Sequence, residues 1–468
     1  MRLVSTRDEA RTGLPYTDVL LAGLAPDGGL YVPEEFPSFT YAELKALAKA
    51  PYTEIAFAVK RKLVDGAIPD ATLRELVEAA YSPKNFDGTP VVTPVSNIGD
   101  GLYLQNLSLG PTASFKDMAM QILGREMEYQ LTAEGKSLFI LGATSGDTGS
   151  AAEAAFKGLS GIGLCMLSPE EGMSDFQKAQ MGMLSGDNIW NVSIRGRFDD
   201  CQDLVKAVKG DPEFVHLGAV NSINWGRISA QVAYYFAGYL QVARQVGDEI
   251  DFAVPSGNFG DAFSGYVAKR MGLPMRRIIV ATNENNVLER LFKTGVYETK
   301  QAAVTSSPSM DISKASNYER FFHDISGDAK TTKEYMETFN KVGRVDMKDF
   351  GLSAEAFAER GFVSGSSTHA DRIKEIQNVY ADSETIIDPH TADGVHVGRQ
   401  LQGDLPVVCL ATALPVKFED TIKEALGFVP ERPKRFEVLG EHDGGFTVIS
   451  GDAAQLKVLL RTYLEAYK

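Results

Sequence analysis

The spacing of hydrophobic and polar residues along the chain changes near residue 100. Before that point, "FTYAELKALAKA" and "ATLRELVEAAY" place apolar residues three and four positions apart, which predicts amphipathic helices. The stretch "APDGGLYVPEEFP", which precedes them, is rich in turn-forming residues. We therefore predict a mainly helical N-terminal domain over residues 1–85, with its boundary near "SPKNF" and "DGTPVVTPV".

Beyond residue 100, short apolar strands alternate with small-residue loops and helices. The predicted strands lie in "GLYLQNLS", "SLFILGA", "DFAVPSG" and "ETIIDPH". Such alternation is typical of parallel sheets with right-handed crossovers, in which ligands bind at the carboxyl ends of the strands. We therefore predict an α/β core over residues 86–430, with the small-residue loops on its ligand-binding edge.

Two segments depart from this alternation. Residues from about 290 to 365 contain loop and polar helical patterns, which we interpret as an elaboration on the core. After "PERPKRF", residues 431–468 are expected to form a small C-terminal appendage with a strand and a helix.

Composition narrows the possible function classes. The chain has 468 residues, 44% of hydrophobic type, a formal net charge of −15 and a pI near 5.0. An acidic surface argues against nucleic acid or an anionic membrane as the main partner. No protein partner is inferred. The N-terminus lacks the apolar core of a signal peptide, and we expect a soluble cytoplasmic protein.

The cysteines and histidines indicate no metal site. Cys165, Cys201 and Cys409 lie far apart and form no CxxC pair, which argues against a disulfide framework and structural zinc. His390 and His396 are six positions apart, the wrong spacing for one helical face. We therefore expect no bound metal.

The turn "SGNFGDA" is a candidate phosphate site. Gly257 and Gly260 permit a tight turn with exposed N–H groups, just before a helix that we expect to begin near Asp261. The N-terminus of a helix favours bound anions. The alternative is an ordinary glycine-rich turn between a strand and a helix.

The turn "TSGDTGS" is a second candidate anion site. Its four hydroxyl groups and the following helix N-terminus are suited to a carboxylate or a second phosphate. The alternative is helix capping by Ser145, Asp147 or Thr148, which does not exclude ligand binding. Neither turn matches the common nucleotide-binding fingerprints, because no G-x-G-x-x-G follows a strand.

Lys116, in "GPTASFKDMA", lies in the first turn of a predicted helix. The positive end of the helix dipole disfavours an ammonium group there, and a neutral amine is the form that Schiff-base chemistry needs. The alternative is a solvated surface lysine. A reactive lysine together with a phosphate turn suggests pyridoxal phosphate. Thr412, at the end of the apolar run "VVCLATALP", would then face the pyridine nitrogen, unless its hydroxyl only satisfies the backbone.

Successive motifs along most of the chain resemble the threonine synthase family, within the tryptophan-synthase-β-like group of pyridoxal-phosphate enzymes. The motifs are "STRDEA", "GLAPDGGLYVP", "PTASFKDMAMQ", "ATSGDTGSAA", "NSINWGRI", "SGNFGDA", "SPSMDI", "DPHTADG" and "ATALPVKF". They look most like the longer bacterial and fungal subfamily. The resemblance implies a type II fold, in which two α/β lobes with open parallel sheets follow the helical N-terminal domain.

The resemblance also implies residue roles. Lys116 would hold the cofactor aldehyde as a Schiff base and later move protons. The other implied cofactor-binding residues are Asp147, Gly257, Asn258, Phe259, Gly260, Asp261 and Thr412. The implied substrate-binding residues are Ser114, Ser145, Thr148, Asn221, Asn224 and Arg227. For Arg227 the alternative is a structural ion pair.

The implied reaction converts O-phospho-L-homoserine and water to L-threonine and phosphate. Two alternatives remain. One is a related lyase or dehydratase on the same scaffold, which would release a 2-oxo acid. The other is a non-catalytic binding protein, against which the retained Lys116 and glycine turn both argue.

Overall fold

The computed structural model of the chain describes residues 1–171, 173–214, 216–218, 222–441 and 445–467. The strands are β1 (Leu3–Ser5), β2 (Tyr31–Pro33), β3 (Val95–Asn97), β4 (Leu102–Asn106), β5 (Leu138–Ala143), β6 (Ile162–Pro169), β7 (Ile189–Ile194), β8 (Ile250–Pro255), β9 (Met275–Thr282), β10 (Val296–Glu298), β11 (Arg344–Asp346), β12 (Phe362–Ser366), β13 (Val407–Ala411) and β14 (Phe446–Ile449).

The α-helices are α1 (Tyr16–Ala22), α2 (Tyr41–Leu47), α3 (Tyr52–Val64), α4 (Asp70–Ala80), α5 (Lys116–Glu134), α6 (Asp147–Phe156), α7 (Asp175–Leu184), α8 (Phe198–Lys209), α9 (Trp225–Val242), α10 (Gly260–Arg270), α11 (Val287–Thr294), α12 (Tyr318–Ser326), α13 (Ala329–Val342), α14 (Glu355–Glu359), α15 (His369–Ser383), α16 (Pro389–Leu401), α17 (Glu419–Leu426) and α18 (Ala453–Tyr467).

The chain divides into two compact units. Unit 1 contains Met1–Leu109 and Ser222–Pro430, and unit 2 contains Gly110–Asn221 and Glu431–Lys468. Each unit therefore combines segments that are distant in sequence. The domain limits expected from the sequence follow the order of the chain, and they stay a prediction.

Unit 1 contains a six-stranded sheet in the order β12-β9-β8-β13-β4-β3. Its strands are parallel except for β3, which pairs antiparallel with β4 at the edge. The N-terminal region contributes helices α1 to α4, as its apolar spacing predicts, together with the antiparallel pair β1 and β2. Helix α3 packs on α9, which is buried along most of its length.

The strand predicted at "ETIIDPH" is wrong, because this segment links two helices. Helix α15 ends at Ser383 and α16 begins at Pro389. Proline suits the first helical position because its missing N–H would have no partner there. The Asp388 side chain accepts hydrogen bonds from the next two N–H groups and caps α16. Ile387 is buried in the core, so the apolar residues here anchor a linker.

Unit 2 contains a four-stranded parallel sheet in the order β14-β7-β6-β5. The C-terminal segment supplies β14 and α18, the strand and the helix that its pattern predicts. Leu456 and Leu460 of α18 are buried with Leu141, Cys165 and Val192 of the strands. This burial joins the C-terminal segment to the core of unit 2.

The predicted α/β class with open parallel sheets is confirmed. The three cysteines are free and buried. Among the described helices, none is long and apolar enough to span a membrane. Within the described ranges, no group of three or more His, Cys, Asp or Glu side chains could hold a metal ion.

Candidate active site

In unit 2, Lys116 begins helix α5, and the loop before it has a fixed shape. Both the N–H and the hydroxyl of Thr112 donate to the buried Asp117 carboxylate at 2.8 Å. A Cβ on Gly110 would lie 2.4 Å from the Asp117 Cβ, so only glycine fits there. Ala113 adopts a positive φ of 57°. These contacts therefore fix the conformation of the loop that leads into Lys116.

The Lys116 side chain faces a carboxylate. Its Nζ lies 3.4 Å from Oδ2 of Asp147, and the two side chains are only 12% and 5% exposed. The Lys116 N–H donates to the Ser114 hydroxyl at 3.3 Å, and Ser114 is fully buried. The helix N-terminus disfavours an ammonium group, but the Asp147 carboxylate favours it. The position of Lys116 in the sequence reveals only the first of these two effects.

The turn before α6 is capped by a residue that the sequence argument did not consider. The Thr144 hydroxyl accepts hydrogen bonds from the N–H groups of Gly146 at 3.0 Å and Gly149 at 2.8 Å. Capping by Ser145, Asp147 or Thr148, the alternative offered by the sequence, is therefore wrong, because Gly146 takes the N-cap position and has no side chain. The Asp147 side chain instead contacts Lys116.

Gln177 of α7 is a second residue that the sequence argument missed. Its Nε2 donates to Oδ1 of Asp147 at 2.9 Å, while Lys116 occupies the other carboxylate oxygen. The spacing of Ser174 and Gln177 is a recognisable capping-box signature, which predicts a helix start. It carries no sign that the same amide also reaches Asp147.

The other predicted residues of unit 2 differ in exposure. Ser145 is exposed and Thr148 is half-buried. The structure brings Ser114, Lys116 and Asp147 together. Asn221 lies outside the described residues.

In unit 1, the turn from Ser256 to Asp261 leaves backbone donors free. Phe259 adopts a left-handed φ of 63°, unusual for a bulky residue, and its buried ring packs among Phe292, Phe321 and Phe362. Among the residues that the structure describes, the N–H groups of Gly257, Asn258, Phe259 and Gly260 form no hydrogen bond. Four free donors at a helix N-terminus suit a phosphate group.

Gly257 lies where a side chain would collide. A Cβ there would approach the Ile312 side chain to 3.0 Å and the Met310 Cα to 3.1 Å. Residues 310 and 312 belong to the motif "SPSMDI", which therefore packs against the glycine turn.

Asp261, in the first turn of α10, faces α9. Its Oδ1 accepts hydrogen bonds from the hydroxyls of Tyr234 at 2.5 Å and Tyr235 at 2.7 Å. Burial raises the pKa of Asp261 to about 6, although both hydroxyls and the positive charge of Arg227 act in the opposite direction. The carboxyl group thus ties the glycine turn to α9.

Arg227 and Asn224 begin α9. Burial lowers the pKa of Arg227 to about 10, and its Nη1 has no hydrogen-bond partner within the described part of the chain. Asn224 caps the helix by accepting from the Gly226 N–H at 2.8 Å, and its Nδ2 donates to the Leu20 carbonyl at 3.0 Å. Arg227 therefore offers a donor to a ligand, whereas the Asn224 amide is already engaged by the fold.

Thr412 directly follows β13 and is held by residues that the sequence argument did not single out. Its N–H donates to the Thr391 hydroxyl oxygen at 3.1 Å, and the Thr391 hydroxyl donates to Asp388. His390 Nδ1 lies 2.9 Å from the same carboxylate, and its Nε2 accepts from the Ser309 N–H at 3.0 Å. The motif "DPHTADG" thus connects Thr412 to the "SPSMDI" loop.

These residues fit pyridoxal phosphate. The glycine turn provides free N–H donors for the phosphate, and Lys116 is a partly enclosed amine. Thr412 is 6% exposed and carries a neutral hydroxyl group.

Three family models match the chain. They are the threonine synthase N terminus over residues 2–81, the pyridoxal-phosphate dependent enzyme over residues 85–346, and the threonine synthase C-terminal model over residues 391–459.

Individual threonine synthases are similar to the chain over nearly its whole length. The threonine synthase of Methylobacillus glycogenes is 48% identical over 471 residues, which cover 98% of each chain. The crystal structure of the PLP-bound threonine synthase from Brucella melitensis matches with a TM-score of 0.93 at 40% identity and covers 99% of both chains. The yeast threonine synthase structure matches with a TM-score of 0.92 at 33% identity over 99% of both chains.

The family models and the full-length matches agree with the resemblance read from the sequence. The chain therefore belongs to the threonine synthase family, which comprises pyridoxal-phosphate-dependent lyases acting on phosphates.

Proposed function

We propose that the chain converts O-phospho-L-homoserine and water to L-threonine and inorganic phosphate, and that Lys116 is its catalytic residue. In this reaction the C–O bond at Cγ breaks and Cγ gains a hydrogen, while Cβ loses a hydrogen and gains the hydroxyl group of water. The observation that carries the proposal is the partly enclosed Lys116 amine, 3.4 Å from the Asp147 carboxylate. We also propose that the reaction takes place in the cytoplasm.

We propose that residues from both units bind the cofactor. When bound, pyridoxal phosphate supplies an aldehyde for the lysine and a ring that accepts electron density from the substrate Cα. The free N–H groups of the glycine turn and of Asp261 would hold its phosphate. The Thr412 hydroxyl would face its pyridine nitrogen, and Asp147 would lie beside its ring oxygen.

Lys116 would act twice. It first holds the cofactor and then, once the substrate amine has replaced it, takes the proton from Cα. A proton-transfer group of this kind contributes about 10²- to 10⁴-fold to rate. The 12% exposure of Lys116 limits access of bulk water to the amine during this transfer.

Substrate contacts are proposed for two groups of residues. Ser114, Ser145 and Thr148 offer hydroxyl groups for the carboxylate or the phosphate of the substrate. Arg227 offers its unpartnered Nη1 to a phosphate oxygen, since arginine binds such anions in a fixed geometry. Asn224 would act mainly by beginning the helix that carries Arg227, because its own amide is engaged. Asn221 is proposed on the family resemblance alone.

Two measurements test the proposal. Borohydride reduction of the loaded enzyme, followed by peptide mapping, should place the label on Lys116, and a label elsewhere would remove it from this role. Incubation with O-phospho-L-homoserine should yield equal amounts of threonine and phosphate. Release of a 2-oxo acid with the phosphate would instead identify a lyase that stops before water addition.

A further inference from the structure

The amide of Gln177 has a defined orientation. Its Oε1 accepts a hydrogen bond from the backbone N–H of Ser174 at 3.2 Å. A backbone N–H can only donate, so the amide oxygen must point to Ser174. The Nε2 group of Gln177 must therefore point the other way, toward Oδ1 of Asp147 at 2.9 Å.

This orientation determines what Asp147 can do. An amide NH₂ group only donates, so Oδ1 of Asp147 has to accept and is not protonated there. The second oxygen, Oδ2, lies 3.4 Å from Lys116 Nζ, which is also a donor when charged. Hydrogen bonds of this kind stabilise the charged form of a carboxylate. Asp147 is thus held between two donors, with one oxygen directed at Lys116.

The turn before α6 is shaped around the Gln177 amide. A Cβ on Gly146 would lie 2.5 Å from both Cδ and Nε2 of Gln177. Gly146 also has a φ of 133°, which side-chain-bearing residues rarely adopt. Gln177 is 7% exposed, so the amide is enclosed where it meets Asp147.

We propose that Gln177 is a positioning residue for the catalytic lysine, acting through Asp147. Its amide keeps the Asp147 carboxylate ionised, accepting and directed at position 116. The inference rests on the proposed role of Lys116. It adds a residue on α7 that orients the carboxylate facing the lysine.

Two side chains from other helices contact the Asp147 carboxylate, one charged and one neutral. Lys116 of α5 faces it with a positive charge, and Gln177 of α7 faces it with a neutral amide. Asp175, the acidic residue in the first turn of α7, is exposed. A new charge at position 177 would act directly on Asp147 and, through this carboxylate, on Lys116.

The test is Gln177→Glu. Glutamate is the preferred residue at this position of a capping box, so the start of α7 is retained. The substitution replaces the donor with a carboxylate beside Asp147. Two carboxylates this close share one proton, which raises one pKa of the pair strongly. We expect one ionisation that the wild type lacks, at roughly pH 5–8, in the visible absorbance of the loaded enzyme.

A second measurement does not depend on turnover. The dissociation constant for pyridoxal phosphate, measured by absorbance titration of the cofactor-free protein, should change about tenfold across the new ionisation. The wild-type titration is the baseline, and the expected step is the one that Gln177→Glu adds to it.

Two further variants separate positioning from folding. Adding Asp147→Asn to Gln177→Glu exchanges donor and acceptor and leaves one carboxylate, so the new ionisation should disappear. Ser174→Ala removes the hydroxyl that accepts from the Gln177 N–H at 3.2 Å. It should lower the melting temperature without adding an ionisation.

An absorbance titration of Gln177→Glu identical to that of the wild type overturns the inference. If borohydride still labels Lys116 in that case, the proposed function stands and only the role of Gln177 fails. A label at another lysine defeats the proposed function itself. Should Gln177→Glu not fold, recovery of folding by the added Asp147→Asn supports the contact, and no recovery overturns it.

Discussion

The turn at residues 144–150 and the turn at residues 256–262 follow the same local plan. Each follows a parallel strand, each has a positive φ just before its helix, at Gly146 and at Phe259, and each has an aspartate in the first helical turn. From the sequence both are candidate anion sites. The structure gives them different surroundings.

The two turns differ in the groups that hydrogen-bond to their backbone N–H groups and to their aspartate side chains. In the first turn, the Thr144 hydroxyl accepts hydrogen bonds from two N–H groups, and Asp147 presents a negative charge to Lys116. In the second, the N–H groups stay free and Asp261 turns toward two tyrosine hydroxyls. The first turn thus presents a carboxylate to an amine, whereas the second offers free N–H donors that suit an anion. Similar turn sequences acquire different chemistry from their distant neighbours.

The largest expected effect is that of Lys116→Ala, which removes the amine that the first turn faces. Threonine formation should fall by about 10³-fold or more, because the proton-transfer group is lost. Borohydride should no longer attach the cofactor to the protein. Product assays and mass spectrometry of the reduced protein measure both. The matched control is Lys157→Ala, a lysine at the end of α6 whose Nζ donates to the Met183 carbonyl. It should keep both properties, and a fast Lys116→Ala enzyme would contradict the assignment.

Asp261→Asn tests the aspartate of the second turn through pH. The folded protein raises the pKa of Asp261 from 3.8 to about 6, so its folded form binds the proton more tightly than its unfolded form. Its contribution to stability is complete below about pH 4 and is lost as pH rises through about 6. The loss amounts to about 3 kcal/mol. Asparagine does not ionise. As pH rises through about 6, the free energy of unfolding of the wild type should therefore fall by this amount relative to that of the variant.

Urea unfolding of the cofactor-free proteins between pH 4 and 7 measures this difference. Asp393, whose pKa is also raised to about 6, contributes equally to wild type and variant and therefore cancels. Asp404→Asn is the control, because that side chain is 83% exposed. Parallel pH profiles for wild type and Asp261→Asn would show that Asp261 ionises normally.

Gly257→Ala tests the free donors of the second turn. The new methyl group would lie 3.0 Å from the Ile312 side chain and 3.1 Å from the Met310 Cα, so the turn has to shift. Overpacking of this kind costs about 1–3 kcal/mol, so pyridoxal phosphate should bind roughly 5- to 150-fold more weakly. Gly210→Ala is the matched control, since its nearest contact is 3.4 Å. Equal cofactor affinities in the two variants would argue against the phosphate site.

Thr144→Val has the smallest expected effect and removes the cap of the first turn. The N–H groups of Gly146 and Gly149 lose their acceptor, which should lower the free energy of unfolding by about 1–2 kcal/mol. Thr144→Ser keeps the hydroxyl and should stay close to wild type. Thermal unfolding compares the two, and equal losses would assign the effect to packing instead of capping.

Local chemistry made much of the fold predictable. Helix starts, apolar periodicity and the alternation of strands with helices predicted the α/β class, the helical N-terminal region and the C-terminal strand and helix. The strand expected at "ETIIDPH" failed because Ile387 is buried without being part of a sheet. An apolar run by itself does not distinguish a strand from an anchored linker.

The candidate site was predictable only in part. Lys116, the glycine turn and Thr412 stood out because lysine at a helix start, glycine pairs and strand-end hydroxyls are local features. Gln177 and Thr391 did not, because each acts through a hydrogen bond to a distant residue or to another element.

The sequence by itself determined the family, the positions of the turns and the lysine proposed as the reactive amine, because these depend on residue type and on neighbours along the chain. Only the tertiary structure decided that Lys116 meets Asp147, that Gln177 orients this carboxylate, and that Asp261 titrates near pH 6. Ionisation and hydrogen bonding depend on burial and on partners brought from other elements. Packing brings those partners together, and their spacing along the chain does not predict which residues will meet.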